Sequence, residues 1–301
     1  ILTLDEIPAS MVVVGGGVIG CEYACMFAAL GVQVHVVEKR NHIVGGMDNE
    51  ISATLQARME SAGVKFFMAD SITHVECGEH VELHLESGTS IKTNAVLVSS
   101  GRSGQTGSLG LEKIGVETTS RGHIVVDQDF QSKVPSIYAA GDVIGNPALA
   151  STAMEQARLA IYNAFQVGAR RHFATLLPSG LYTIPECSMV GETEEALIEN
   201  KIPYVAGRAS YANNARGQII GDTEGFLKLL YHAENRKLLG VHIIGEGATE
   251  LVHIGQVAML NQADTNLFIN TCFNYPTISE IYKYATFDAV IKLNDVGKRS
   301  L

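Results

Sequence analysis

A glycine-rich segment with the sequence GGGVIG, at residues 15–20, constrains the fold of this chain more than any other feature. It follows a short apolar run, MVVV at 11–14, and precedes small residues that recur with the spacing of one helix face. In a strand-to-helix turn of this kind, the first glycine permits the tight turn and the second lets the backbone approach a pyrophosphate. The third lets the helix pack closely on the strand. The segment therefore predicts a βαβ unit that binds a dinucleotide at the helix N-terminus, although a turn that serves packing alone would use the same glycines.

An acidic residue, Glu38, ends the second predicted strand of this unit, 23 residues after the first glycine. A carboxylate at this place accepts a hydrogen bond from the 2′-hydroxyl of the adenosine ribose, which favours NAD. Lys39 and Arg40 follow, and these cations could bind the 2′-phosphate of NADP or simply form an exposed turn. We predict a site that accepts both nucleotides. Its predicted residues are Gly15, Gly17, Val18, Ile19, Gly20, Glu38, Lys39 and Arg40.

The charge balance and the apolar content exclude several classes of protein. The 301 residues carry 22 basic and 32 acidic side chains, and a net charge of −10 argues against nucleic-acid binding. With 46% hydrophobic residues the chain is not disordered, and its length predicts two domains with a partial third. No apolar stretch approaches the roughly 18 residues of a membrane span. Because the five cysteines are scattered and no signal peptide opens the sequence, we expect a cytoplasmic protein without a membrane partner.

The order of the predicted elements changes near Pro178. The upstream part alternates strands and helices and contains a small antiparallel meander between residues 71 and 93. The downstream part has strands followed by helices, which is the pattern of an α+β domain. The predicted fold is therefore α/β, with a Rossmann-like domain, its inserted meander and a C-terminal α+β domain. Strands are predicted at 11–14, 32–37, 64–68, 95–99, 137–140, 180–184, 203–210, 225–232 and 238–244, and helices at 48–62, 149–168, 247–262 and 276–290.

Two groups of potential metal or redox ligands have a structural interpretation. Cys21 and Cys25 lie four residues apart on the packed face of the first predicted helix, where cysteine acts as a small apolar side chain. His80, Glu82 and His84 share one face of a strand whose other face is apolar, so they are predicted to form its solvated side. We therefore predict no metal site.

A second candidate site lies at Asp142, within YAAGDV at residues 138–143. An aspartate at the carboxyl end of a strand can hydrogen-bond a polyol. The N-terminus of a helix that follows it can stabilise negative charge on a bound ring. The sequence around Asp142 is also compatible with an ordinary turn that binds no ligand.

Five motifs follow one another in the order seen in the two-dinucleotide flavoprotein reductases, the pyridine nucleotide-disulfide oxidoreductase superfamily. The sequence resembles that superfamily over nearly its whole length. The motifs are GGGVIGCE (15–22), SSGR (99–102), YAAGDV (138–143), YTIPE (182–186) and NYPT (274–277).

The residue before the last Pro-Thr distinguishes branches of this superfamily. Its disulfide reductases carry a histidine there, whereas this sequence has Tyr275. A phenol with a pKa of about 10 cannot exchange protons at neutral pH as an imidazole does, which disfavours thiol chemistry. The sequence accordingly resembles the soluble pyridine nucleotide transhydrogenases. This narrower resemblance also rests on VIGCEYA (18–24), GDVIG (141–145) and LAS (149–151).

The resemblance implies roles for further residues. Asp142 would contact the ribityl chain of FAD, and the helix that starts near Ala150 would point at the pyrimidine end of the flavin. Glu22 would lie near the nicotinamide and flavin rings, while Tyr275 and Glu280 would line the flavin of a partner subunit. These three are the tentative catalytic residues, although Glu22 could be an ordinary helix-terminal acid and Tyr275 an ordinary interface residue. The cofactor-binding set then also includes Gly101, Arg102, Asp142 and Ala150.

An activity and a domain organisation are implied as well. NADPH would reduce FAD, and NAD would then enter the same site and collect the hydride, as in a Si-specific NAD(P) transhydrogenase that forms a homodimer. The implied domains are a nicotinamide-binding domain (1–95), a segment that completes the FAD domain (96–170) and an α+β interface domain (175–301). With one GxGxxG in the sequence, we expect that an N-terminal flavin domain is absent and that the chain alone is inactive. A dihydrolipoamide-dehydrogenase-like disulfide reductase and a non-catalytic nucleotide-binding dimer module are the alternatives.

Overall fold

The computed structural model describes residues 1, 4–167 and 173–299, which form two compact units. One unit contains Ile1–Ser100 together with Pro178–Leu301, and the other contains Gly101–Leu177. The α-helices are α1 (Val18–Ala29), α2 (Asn49–Ser61), α3 (Ala150–Phe165), α4 (Glu194–Glu199), α5 (Ala215–Ile220), α6 (Ala248–Leu260), α7 (Thr265–Asn270) and α8 (Ile281–Arg299). The strands are β1 (Ser10–Val14), β2 (Gln33–Glu38), β3 (Lys65–Met68), β4 (Ile72–Cys77), β5 (Val81–Leu85), β6 (Ser90–Thr93), β7 (Ala95–Val98), β8 (Ser179–Leu181), β9 (Cys187–Gly191), β10 (Tyr204–Ser210), β11 (Phe226–His232) and β12 (Leu238–Ile244).

A parallel sheet with the strand order β3-β2-β1-β7 forms the nucleotide-binding part of the larger unit. The apolar run in β1 is buried because both faces of the sheet are covered. Val13 belongs to a core cluster with residues of α1 and α2, whereas Val12 belongs to a cluster with Leu83 and Leu85 of the meander. The predicted βαβ unit is confirmed.

The predicted meander is an antiparallel sheet with the order β4-β5-β6. Leu83 and Leu85 are buried, and the opposite side is more exposed, as the alternation predicted. On that side Glu82 lies 3.5 Å from Lys92, and His84 lies 3.5 Å from Glu76. Among the described residues, no group of three or more His, Cys, Asp or Glu side chains is arranged to hold a metal ion.

The C-terminal part of the same unit is an antiparallel sheet with the order β10-β11-β12-β9-β8. Helix α8 packs against β10 and β11, and α6 packs against β12 and β9. Strand β9 was not predicted, β8 ends at Leu181 rather than at residue 184, and α8 begins at Ile281 rather than at residue 276. Strand β9 was missed because its sequence, CSMVG, is mostly buried and does not alternate between apolar and polar residues.

The smaller unit corrects one prediction. Residues 137–140 do not form a strand, and only Tyr138 makes an isolated bridge, to Gln131. The chain instead turns through a 3₁₀ helix at Asp142–Ile144, since Gly141 and Gly145 both adopt positive φ angles. The predicted helix 149–168 is α3, and residue 168 lies outside the described residues.

No helix among the described residues is both long enough and apolar enough to cross a lipid bilayer.

Candidate functional site

The three glycines of the β1–α1 turn have different surroundings. Gly15 has φ +105°, and a Cβ there would lie 2.8 Å from the carbonyl oxygen of Ser99. A Cβ on Gly20 would overlap the carbonyl oxygen of Gly15, so glycine is required where α1 approaches β1. A Cβ on Gly17, by contrast, would meet nothing within 4 Å. The first and third glycines therefore serve the packing of the chain, whereas Gly17 borders open space that a ligand can enter.

The N-terminus of α1 faces this open space without a side-chain cap. Gly17 is the N-cap residue, and the first helical hydrogen bond runs from the Cys21 N–H to the Gly17 carbonyl. The N–H groups of Val18, Ile19 and Gly20 consequently have no acceptor within the helix. Unpaired N–H groups and the positive end of the helix dipole together favour an anion such as a diphosphate.

Glu38, at the end of β2, is held by four hydrogen bonds. Its carboxylate accepts from the Gly16 N–H at 2.7 Å, from the Arg40 N–H at 2.9 Å, and from Arg40 Nε and Nη2 at 3.0 and 3.2 Å. Burial by itself would raise the pKa of Glu38, but the hydrogen bonds from Arg40 and Gly16 lower it. Glu38 is therefore an anion linked directly to the glycine turn, and its partner Arg40 and neighbour Lys39 are exposed.

Glu22 connects α1 to the YTIPE segment. Its Oε1 accepts a hydrogen bond of 2.9 Å from the backbone N–H of Tyr182. The neighbouring contact is weaker, because the distance from Cys25 Sγ to the Ile184 carbonyl oxygen is 4.0 Å. One oxygen of Glu22 is thus engaged by the segment that follows β8.

The second candidate site lies within the smaller unit. Arg102 Nη1 donates a hydrogen bond of 2.6 Å to Asp142 Oδ2, and both side chains are well exposed. Gly101, which precedes Arg102, has φ +114°. Helix α3 begins at the exposed Ala150 without a side-chain cap. The structure therefore brings Arg102 and Asp142 together in a charged pair that retains access to solvent.

The two C-terminal candidates lie between α7 and α8. Tyr275 is 73% exposed. Glu280 ends a 3₁₀ helix, and its Oε1 accepts a hydrogen bond of 3.3 Å from the Tyr284 hydroxyl. The role predicted for Tyr275 and Glu280 involves a partner subunit, so it stays a prediction.

The cysteines fall into two classes. Cys21, Cys25 and Cys187 are buried, and Cys77 and Cys272 are exposed. Burial raises the pKa of the Cys187 thiol to about 12 and also raises the pKa values of Cys21 and Cys25. Since the thiolate is the reactive form, burial and the raised pKa values favour a structural role for these three cysteines, and the structural role of Cys21 and Cys25 stays a prediction.

Sequence reasoning missed three residues around the turn. Gly16 donates its N–H to Glu38, and Ser99 Oγ donates to the carbonyls of Val14 and Gly15. Gly45 leaves room for the Arg40 guanidinium, because a Cβ there would overlap Arg40 Nη1. The SSGR motif was a signal for Ser99, but nothing in the local sequence connects Gly45 with Arg40.

Comparisons with known proteins identify the family of this chain. The family model described as pyridine nucleotide-disulphide oxidoreductase matches residues 1–157, and the model of its dimerisation domain matches residues 177–286. The chain is 50% identical over 300 residues to a soluble pyridine nucleotide transhydrogenase of Mycobacterium tuberculosis (strain ATCC 25177 / H37Ra), covering 99% of this chain. It is 43% identical over 303 residues to the protein of that name from Pseudomonas putida (strain W619), covering 97% of this chain. The chain spans 64% of the length of each of these relatives.

Solved structures give the same result. The chain is similar to the HOCl-induced flavoprotein disulfide reductase RclA from Escherichia coli, with a TM-score of 0.87 and 25% identity over 98% of this chain and 65% of that one. It is also similar to LpdA from Mycobacterium tuberculosis, with a TM-score of 0.85 and 27% identity over 94% of this chain and 62% of that one. The glycine turn, the fold and these matches agree, and the chain belongs to the pyridine nucleotide-disulphide oxidoreductase family.

Proposed function

We propose that this chain acts in a flavoprotein that transfers hydride from NADPH to NAD through FAD, a Si-specific NAD(P) transhydrogenase. The observation that carries the proposal is the uncapped N-terminus of α1 at Gly17, beside the Glu38–Arg40 pair. The names of relatives at 43–50% identity point to the same reaction.

The nucleotide is bound by backbone at one end and by charged side chains at the other. The N–H groups of Val18 and Ile19 donate to the diphosphate, and Gly17 leaves room for it. The adenosine ribose lies near Glu38 and Arg40, at the carboxyl end of β2. Glu22 is one helical turn further along α1, where its second oxygen can accept a hydrogen bond from the nicotinamide carboxamide.

The smaller unit supplies groups that fit one end of FAD. The Asp142 carboxylate can accept hydrogen bonds from a ribityl hydroxyl while Arg102 holds it in place. The uncapped α3 N-terminus at Ala150 can stabilise negative charge at the pyrimidine end of the flavin. When bound, FAD takes up hydride from one nicotinamide and passes it to another. On this assignment the domains are 1–95 for the nicotinamide nucleotide, 96–170 for part of the FAD site and 175–301 for the interface.

Transhydrogenation is favoured over disulfide reduction by the side chains at hand. Tyr275 occupies the position of the proton-exchanging histidine of the disulfide reductases, and a phenol does not replace an imidazole near neutral pH. The thiols of Cys21 and Cys187 are buried with raised pKa values, which disfavours a redox role for these two cysteines at that pH. Hydride transfer between nicotinamides needs neither group.

A homodimer is proposed as the assembly, with the cytoplasm as its location. Helix α8 carries three partly exposed apolar side chains, Tyr284, Phe287 and Ile291, at a helical spacing that places them on one face. This face lies in or next to the part of the chain that matches the family's dimerisation domain.

The activity can be tested with enzyme purified from its native source, using NADPH as donor and thio-NAD⁺ as acceptor. We expect reduction of thio-NAD⁺ without any added thiol, and no turnover from the 301 residues alone when FAD is supplied. NADH-dependent reduction of lipoamide without transhydrogenation would establish the disulfide reductase instead. Nucleotide binding with no flavin in the native enzyme would establish the non-catalytic module.

A further inference from the structure

The Glu38 carboxylate has no acceptor position left for a new donor. Each of its oxygens accepts two hydrogen bonds, one from backbone and one from the Arg40 side chain. A carboxylate has about four such positions, two on each oxygen. A ribose 2′-hydroxyl that donates to Glu38 must therefore displace one of the present donors. The backbone donors are fixed by the turn and the strand end, so the Arg40 side chain, which is 47% exposed, is the donor that can leave.

The paired position of Arg40 depends on Gly45. A Cβ at Gly45 would overlap Arg40 Nη1 and lie 3.2 Å from Arg40 Cζ, whereas the nearest atom of another residue is His42 Nε2 at 3.6 Å. Gly45 does not adopt a positive φ, so an alanine there would not strain the backbone. Because the overlapping atom is the end of a flexible side chain, the guanidinium would move and the fold would stay.

The two positions of Arg40 suit different nucleotides. While Arg40 is paired, it neutralises Glu38 and its Nη1 lies outside the pair. Together with the exposed Lys39, residues 38–40 then carry a net charge of +1, which favours a 2′-phosphate. Once Arg40 has moved away, Glu38 is an anion with two open acceptor positions. That arrangement accepts a 2′-hydroxyl and repels a 2′-phosphate.

We propose that Arg40 is a two-position selector between NADPH and NADH, and that Gly45 is the specificity-determining residue that permits its paired position. The paired position serves NADPH, and the displaced position serves NADH. This inference rests on the proposed function, since it requires a nicotinamide nucleotide at the β1–α1 turn. In a transhydrogenase both nucleotides visit one site in turn, and a selector of this kind lets one pair of side chains serve both.

The test is to measure the dissociation constants of NADH and NADPH for the wild-type chain and for Gly45→Ala by fluorescence titration. Displacing Arg40 should weaken NADPH binding and leave NADH binding equal or tighter. The affinity ratio should shift toward NADH by about tenfold, the value of one charge-assisted hydrogen bond. An unchanged ratio in a folded Gly45→Ala chain would overturn the selector.

A double-mutant cycle supplies the control. In an Arg40→Ala background, Gly45→Ala should leave the affinity ratio unchanged, because the side chain on which it acts is gone. The same shift in that background would refute the role of Arg40. If Gly45→Ala does not fold, Arg40→Lys replaces it in the test. Lysine cannot form the two-pronged pair with Glu38, so the affinity ratio should shift toward NADH. An unchanged ratio would count against the selector. Failure of the wild-type chain to bind either nucleotide would instead remove the proposed function.

Discussion

Lys228 and Asp48 form an ion pair inside the protein, with Nζ 2.5 Å from Oδ1 and with exposures of 1% and 0%. Lys228 also lies 3.0 Å from Glu50 and 3.1 Å from Glu194. Asp48 is the N-cap of α2, the helix that follows the loop containing Gly45. Lys228, in β11 of the antiparallel sheet, therefore fixes the N-terminus of α2 in the nucleotide-binding part. The loop before α2 contains Gly45, against which Arg40 packs.

Replacement of that cation should destabilise the chain strongly. Lys228→Met leaves the buried Asp48 without its counter-charge, whereas Glu50 and Glu194 keep their ion pairs with Arg208. We expect a loss of about 3–5 kcal/mol in the free energy of unfolding, measured by urea denaturation. The matched control is Lys92→Met, which removes an exposed lysine and should unfold near the wild-type midpoint. The double variant Lys228→Met with Asp48→Asn should recover part of the loss, and no recovery would contradict the electrostatic explanation.

Stability should decrease as the solution becomes more acidic, in two stages. Burial lowers the pKa of His242, so below about pH 6.5 the unfolded chain binds a proton that the folded chain does not. Burial would raise the pKa of Asp48, but its hydrogen bond and ion pair with Lys228 lower it, so a further loss follows below about pH 4.

The first stage can be isolated by substitution. The free energy of unfolding of His242→Gln, measured in urea from pH 7.5 to 5, should change less with pH than that of wild type. The exposed His253→Gln should follow the wild-type curve. Parallel curves for wild type and His242→Gln would show that His242 does not titrate in this way.

Two alanine substitutions in the glycine turn should have opposite effects. Gly17→Ala adds a methyl group to open space, so it should change the free energy of unfolding by less than about 1 kcal/mol. The same methyl group occupies the place of the diphosphate and should weaken NADH binding by about tenfold or more. Gly20→Ala overlaps the Gly15 carbonyl and should cost about 1–3 kcal/mol of stability. Calorimetric titration and urea denaturation of both variants check this, and tight NADH binding by Gly17→Ala would place the nucleotide elsewhere.

Thiol titration of the native chain should give two fast and three slow reactions. Cys77 and Cys272 are exposed, whereas Cys21, Cys25 and Cys187 are buried with raised pKa values. The measurement is the absorbance change with an aromatic disulfide reagent at pH 8, before and after addition of denaturant. Fast reaction of a third thiol in the native chain would mean that the core around α1 opens readily.

A charge on the exposed face of α8 should weaken self-association. Phe287→Glu places a carboxylate among Tyr284 and Ile291, and its desolvation would oppose any interface formed there. Light scattering coupled to gel filtration should show a lower mass for this variant at micromolar concentration. Leu30→Glu changes an exposed leucine on the nucleotide-binding part and should leave the mass unchanged. A dimer that persists in Phe287→Glu would rule out this face.

The sequence predicted the elements whose patterns are local. The β1–α1–β2 unit followed from an apolar run, a glycine turn and helical spacing, and the meander followed from alternation and turn residues. It predicted that Glu38 ends the second strand and serves the same nucleotide site as the glycine turn, a role that stays a prediction. It could not predict that Arg40 fills the acceptor positions of Glu38, because that depends on the space left by Gly45.

Long-range contacts account for most of what was missed. Lys228 lies in the apolar strand β11, where alternation would place a charge toward solvent. It is buried because Asp48, Glu50 and Glu194 arrive from distant parts of the chain. The strand predicted at 137–140 is absent, and contacts outside the local sequence again account for the difference. Its apolar residues pack as irregular chain in a small cluster, so their composition alone did not reveal the absence of strand pairing.

The meander leaves the parallel sheet after β3, at one edge, and the chain rejoins it as β7, at the other. Its hairpin turns, at 78–80 and 86–89, are exposed and take no part in the pairing of β1 with its neighbours. Extra residues at these turns would lengthen a surface hairpin without shifting the register of the strands that carry the glycine turn. A peptide tag or a fluorescent label for following nucleotide binding could therefore be introduced at the 78–80 hairpin, whereas the turn at 86–89 is hydrogen-bonded to Asp70 next to β3.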